Sequence, residues 1–60
     1  MPVVTVDMWQ GRNPEQKRKL VEGITEAFVK IGTPKEKVTI ILNDHAKSDW
    51  AEAGKLSSET

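Results

Sequence analysis

Proline at position two carries the most unusual chemistry this sequence can offer. An initiating methionine is normally removed when the next residue is small, and proline qualifies. Removal leaves Pro2 with a free secondary amine. An α-amino group titrates at about 8, and a prolyl amine is more basic. Desolvation disfavours the charged form, and a neighbouring cation disfavours it further. Pro2 begins an apolar stretch, so burial is within reach, and Arg12 could supply the cation. A neutral amine poised near pH 7 is a competent general base, and the ring fixes the direction of its lone pair. The plain alternative is structural: proline suits the first residue of a strand, where no donor is needed.

The rest of the catalytic inventory is thin. There is no cysteine and a single histidine, so no thiol nucleophile exists and a structural zinc has no ligand set. His45 has Asp44 and Asp49 nearby in sequence and reads as a surface or helix-end residue. Ser48, Ser57 and Ser58 sit in turn-like sequence and read as caps or solvated groups. Gly11-Arg12 is too short to be a phosphate loop. Arg12 itself either binds an anion or pairs with Glu15 or a neighbouring subunit. The lysines along the central segment read as a solvated face.

These residues need elements to hold them. Residues 3–9, Val-Val-Thr-Val-Asp-Met-Trp, are β-branched and partly alternating, a strand signal. Val4, Val6 and Met8 share one face; Val3, Thr5, Asp7 and Trp9 share the other. Asn13-Pro14-Glu15-Gln16 is a helix start, with Asn13 as cap, Pro14 in the first helical position and Gln16 completing a capping box. Leu20, Val21, Ile24, Ala27, Phe28 and Ile31 then trace one helical face. Glu15 with Lys19, and Glu26 with Lys30, stand as i,i+4 pairs on the other. Gly32 and Pro34 stop the helix, which spans 14–31. Val38-Thr39-Ile40-Ile41-Leu42 reads as a second strand covered on both faces, with Val38, Ile40 and Leu42 on one side and Thr39 and Ile41 on the other. The fold class is therefore α/β (α+β): one β-α-β unit with two parallel strands and a right-handed crossover. Residues 43–60 are harder to read. Asp49 to Gly54 suggests a short turn or hairpin, and the end, Ser57 to Thr60, reads as loosely held.

Sixty residues make one domain, residues 1–60. A chain this short sits near balance between ordering cost and burial, and disulfides are not available to it. The helix covers one face of the sheet and nothing remains to cover Val3, Thr5, Trp9, Thr39 and Ile41. A two-stranded sheet also leaves two open edges. Both facts call for assembly through the sheet, so a homo-oligomer is expected. Nine basic and nine acidic residues cancel and are interspersed, with no basic stripe for nucleic acid. No apolar run is long enough to cross a bilayer. No charged segment followed by an apolar one suggests a signal peptide. A cytoplasmic setting is the expectation, with no nucleic-acid or membrane partner.

Pro2 with Val3-Val4-Thr5-Val6, Gly11-Arg12 and Glu15-Gln16-Lys17, then Val38 to Leu42, Ala46-Lys47, the aromatic Trp50 and Gly54, together resemble the 4-oxalocrotonate tautomerase family. The resemblance covers essentially the whole chain, including its length and β-α-β order. It implies an isomerase that moves a proton on an unsaturated keto or hydroxy acid, such as a 2-oxo or 2-hydroxydienoate. It implies that Pro2 is the acid/base and that Arg12 binds a substrate carboxylate, as a guanidinium fork can do bidentately. Trp50 stands where the family has an aromatic, and would wall the site. Sites between subunits of a hexamer are implied, and a role in aromatic-compound catabolism. No metal or organic cofactor is needed, because a conjugated carbonyl delocalises the charge itself. One departure matters: the family's best-known members carry a second arginine where this chain has Thr39. Threonine brings a hydroxyl to that substrate-binding position but no charge, so the usual dicarboxylate substrate is in question. Trp9 replaces a smaller aliphatic residue and reads first as interface packing.

Two other functions stand beside the tautomerase reading. The same β-α-β unit could be a non-enzymatic assembly module, a reading that a retained Met1 would favour. Related proline-based decarboxylation or hydration would need further polar groups to activate water, and no strong candidate is visible.

Overall fold

The computed structural model describes residues 1–59. Strand β1 runs Val3–Trp9, helix α1 Pro14–Lys30 and strand β2 Thr39–His45; a small hairpin follows, β3 Ala51–Glu52 and β4 Lys55–Leu56. Single 3₁₀ turns lie at Lys35–Lys37, Lys47–Asp49 and Ser57–Glu59. The order is the expected β-α-β unit with a C-terminal hairpin.

The helix begins as its sequence dictates. The Gln16 amide donates to Asn13 Oδ1 at 2.8 Å, and the Asn13 amide donates to Gln16 Oε1 at 3.1 Å. This capping box satisfies two of the amides that a helix start leaves unpaired. The helix ends at Lys30, with Ile31 as its cap residue. The Thr33 amide donates to Phe28 O and the Gly32 amide to Val29 O, both at 3.0 Å, closing the last turn. Of the two surface pairs anticipated on the helix, Lys30 approaches Glu26 at 3.8 Å, and Glu15 and Lys19 form no ion pair.

β1 and β2 pair in parallel, from Val3 opposite Thr39 to Trp9 opposite His45. β2 therefore lies later than expected, at 39–45 rather than 38–42. Val38 closes the preceding 3₁₀ turn, its amide bonded to Lys35 O at 3.2 Å. Asn43, Asp44 and His45 have weak strand propensity, yet each gains a cross-element partner. Asn43 and His45 both donate to Asp7, and Asp44 pairs with Lys17 of α1. Tertiary pairing extends the strand beyond what propensity allows. Of the two readings of His45, surface residue or helix end, the second is corrected: His45 is the last residue of β2, with its side chain partly exposed.

The sheet's two faces differ as the parity requires. Val4, Val6, Ile40 and Leu42 are half-buried and Met8 is buried. On the far side Val3 is 53% exposed and Ile41 46%. Met8 is the one buried hydrophobic residue among those described. The exposed area, 4706 Å², exceeds the roughly 3900 Å² expected of a folded monomer of this mass. The radius of gyration, 14.5 Å, likewise exceeds the roughly 10 Å expected of a compact chain of 60 residues. The molecule is thin, 43 × 23 × 13 Å, with one sheet face open. The tail is more ordered than its composition suggests, because the Ser57 amide donates to Trp50 O at 2.8 Å. Thr60, the last residue of the segment expected to be loose, lies outside the described residues.

Candidate active site

Parallel pairing puts the two strand starts at one end of the sheet and the two strand finishes at the other. Pro2 and Thr39 lie at the first end, where the Thr39 amide donates to Pro2 O at 3.0 Å. Met1 is 94% exposed. Arg12 and Trp50 lie at the second end, just after β1 and β2. The seven residues of β1 separate the two groups by about 23 Å, at roughly 3.3 Å per strand residue. The structure brings Arg12 and Trp50 to one end, but it does not bring Pro2 to them within one chain.

The second end is densely furnished. The Gln10 amide closes the ladder on His45 O at 2.9 Å. Gly11 follows at φ +121°, a conformation that a side chain would strain. The turn it permits sends Arg12 back along the strand, where Nη1 donates to Trp9 O at 3.3 Å. Arg12 does not pair with Glu15, and among the described residues it has no carboxylate partner. The bland explanation of Arg12 within the chain is thereby removed. Trp50 meets Trp9 edge to face, centroids 6.0 Å apart, and meets His45 in the same manner at 5.7 Å. Such pairs add to the burial of the rings themselves. Trp9, expected as interface packing, also packs against Trp50 of its own chain and stays 40% exposed. Lys47 Nζ stands 4.7 Å from the centre of the Trp9 ring.

Behind the indoles lies a polar cluster that was not foreseen. His45 Nε2 donates to Asp7 Oδ1 at 2.9 Å, and Asn43 Nδ2 donates to the same oxygen at 3.2 Å. An ionised carboxylate only accepts, so the bond places the imidazole proton on Nε2. These two donors, His45 first, hold the Asp7 carboxyl below its usual value of 3.8. The signal was present in the parity of β1, which puts Asp7 and Trp9 on one face. It became readable only with the register, which sets Asn43 opposite Asp7 and His45 opposite Trp9. In the sequence Lys47 belongs only to the family-like stretch Ala46-Lys47, because nothing local ties it to Trp9.

What this end can do chemically is bind an anion. It offers a guanidinium and an ammonium beside two indole walls, with no carboxylate among the described residues neutralising either cation. The model of the family described as "Tautomerase enzyme" matches residues 2–60. The chain belongs to the tautomerase family. A 2-hydroxymuconate tautomerase of Bacillus subtilis is 45% identical over 98% of this chain and 97% of its own length. A probable tautomerase of Halalkalibacterium halodurans is 43% identical, covering 98% of each chain. Among solved structures, the 4-oxalocrotonate tautomerase homologue YwhB superposes with a TM-score of 0.92 at 43% identity, covering 98% of each chain. A second 4-oxalocrotonate tautomerase homologue reaches 0.89 at 41% identity, over 100% of this chain and 97% of that one. This tautomerase is therefore an enzyme, an isomerase, rather than an inert assembly module. No helix among its described residues is long and apolar enough to cross a membrane.

Proposed function

We propose that this tautomerase transfers a proton on a 2-hydroxy- or 2-oxo-dienoate, with the Pro2 amine as base and then acid. The observation that carries the reading is the setting of Pro2. Its N-terminal neighbour, Met1, is 94% exposed, so losing that residue uncovers the ring nitrogen without disturbing packing. The strand start then holds the nitrogen firmly, since Pro2 O accepts from the Thr39 amide. The amine takes the proton of the enol hydroxyl as the carbonyl forms, and returns it to a carbon of the conjugated chain. The net change is a 1,3- or 1,5-proton transfer, with no atom gained or lost. No cofactor takes part, because the dienolate spreads its own charge.

Arg12 binds the substrate carboxylate and Trp50 walls the site against water. Thr39 lies beside Pro2 and contributes a hydroxyl to the substrate. These groups reach one substrate only if Pro2 of one chain meets Arg12 and Trp50 of another. The active unit is accordingly a homo-oligomer closed over the open sheet face, with a hexamer as the expected form. The substrate class is supported by the name of the Bacillus subtilis relative, a 2-hydroxymuconate tautomerase. The cell's cytoplasm is the expected site of action.

The test has two parts. The intact mass of the purified protein should fall short of the full chain by one methionine. Pro2→Ala should then lower kcat on 2-hydroxymuconate by about 10²- to 10⁴-fold, the usual worth of a positioned acid/base, with assembly unchanged. A retained methionine in a fully active enzyme, or unchanged turnover in the variant, would remove Pro2 from the mechanism.

A further inference from the structure

Thr39 leaves the proposed site one cation short for a substrate with two carboxylates, and the structure holds a spare one. Two cations converge on Trp9: Arg12 on its carbonyl oxygen at 3.3 Å and Lys47 over its ring at 4.7 Å. Neither has a carboxylate partner among the described residues. The other lysine that reaches across elements, Lys17, is neutralised by Asp44. Lys47 is placed by its own backbone: it opens the 3₁₀ turn Lys47–Asp49 that directly follows β2, and the Trp50 amide bonds to Lys47 O at 3.3 Å. The residue that carries Lys47 thus also anchors Trp50, the proposed wall.

We propose that Lys47 is the second anion anchor of this tautomerase, a substrate-binding residue that fits the site to dicarboxylates. The inference rests on the tautomerase site proposed above. The chemistry favours the role. An ammonium over an indole face is attracted by the ring quadrupole, and that contact leaves its remaining donors free. A carboxylate arriving beside Trp9 then meets a cation already held in place, so little side-chain freedom is lost on binding. Arg12, with its planar fork, takes one carboxylate. Lys47, a point charge on a flexible stem, takes the other. The trade is a charge lost at the Pro2 end and one used at the Trp50 end.

The experiment compares Lys47→Gln with the native enzyme on two substrates, 2-hydroxymuconate with two carboxylates and phenylenolpyruvate with one. KM for 2-hydroxymuconate should rise roughly ten- to hundredfold, the worth of a lost charged hydrogen bond. KM for phenylenolpyruvate should change by less than about threefold, and Lys47→Arg should recover most of the loss. Equal effects on both substrates, or none on either, would overturn the assignment. A binding readout separates this from a failure of the tautomerase reading. Quenching of the two tryptophans by cis,cis-muconate needs no turnover, and Lys47→Gln should weaken it by the same factor in Pro2→Ala protein. Undiminished muconate affinity there would overturn the role of Lys47 whether or not Pro2 is the base.

Discussion

Two crippled variants should restore each other. In Pro2→Ala the proposed base becomes a primary amine without the ring that fixes its lone pair; in Arg12→Ala the proposed carboxylate ligand is gone. Within one chain the two positions stand about 23 Å apart, seven strand residues at roughly 3.3 Å each. No side chain spans that gap, so the proposed site would take the two residues from different chains. If equal amounts of both variants are unfolded together and reassembled, some sites receive Pro2 from the arginine-less chain and Arg12 from the proline-less one. Random assortment gives roughly a quarter of all sites both residues in a closed symmetric assembly. Each parent alone is far weaker. Pro2→Ala loses about 10²- to 10⁴-fold in kcat, and Arg12→Ala about ten- to hundredfold in kcat/KM. At substrate concentrations well below KM, the mixture should therefore approach one quarter of the native rate, several times above either parent. The variants differ by one charge, so ion exchange can isolate mixed assemblies before the assay. A mixture no more active than the mean of its parents, in assemblies shown to be mixed, would mean that Pro2 and Arg12 do not share a site across chains.

Two further outcomes follow from contacts outside the reaction. His45 and Asn43 stabilise the charged form of Asp7 and hold its pKa below 3.8; the stability they add is complete above that value and disappears as pH falls through the lower folded pKa. Asp7→Asn should therefore flatten the loss of thermal stability as pH falls below about 4, and an unchanged acid profile would show that the cluster contributes nothing. Asn13→Ala removes the acceptor that holds the Gln16 amide and should cost about 1 kcal/mol, read from urea midpoints at one fixed protein concentration; a shift below a few tenths of that would mean water caps the helix equally well.

Local chemistry was legible in the sequence because local bonds decide it. Asn13, Pro14 and Gln16 specify the helix start within four residues, and Gly32 its end. The alternation of Val4, Val6 and Met8 assigned the buried face before any register was known. The end of β2 was not legible, because Asn43, Asp44 and His45 are held in the strand by Asp7 and Lys17, residues far away in sequence. The site divides in the same way. Pro2 and Arg12 stood out by residue type and by family resemblance. Lys47 and His45 did not, since their meaning lies in contacts with Trp9, Trp50 and Asp7 that only the parallel register creates.

That register also accounts for why so small a chain should act as an assembly. Parallel strands joined by one helix start together and finish together, so a residue before β1 and residues after β1 and β2 are held at opposite ends by construction. Lengthening the strands only widens the gap. An antiparallel pair would have returned the chain to its starting end, but the crossover helix precludes it. The same architecture leaves Val3, Trp9 and Ile41 exposed on a sheet with open edges, apolar surface that a second copy can cover. One event, the packing of chains over that face, would bury it, remove water from around Pro2 and bring Arg12 and Trp50 to the amine. Stability and activity are then lost together on dilution. The concentration at which kcat/KM collapses should match the one at which light scattering reports dissociation. Full activity in dissociated chains would place the whole chemistry within a single β-α-β unit, against the 23 Å geometry.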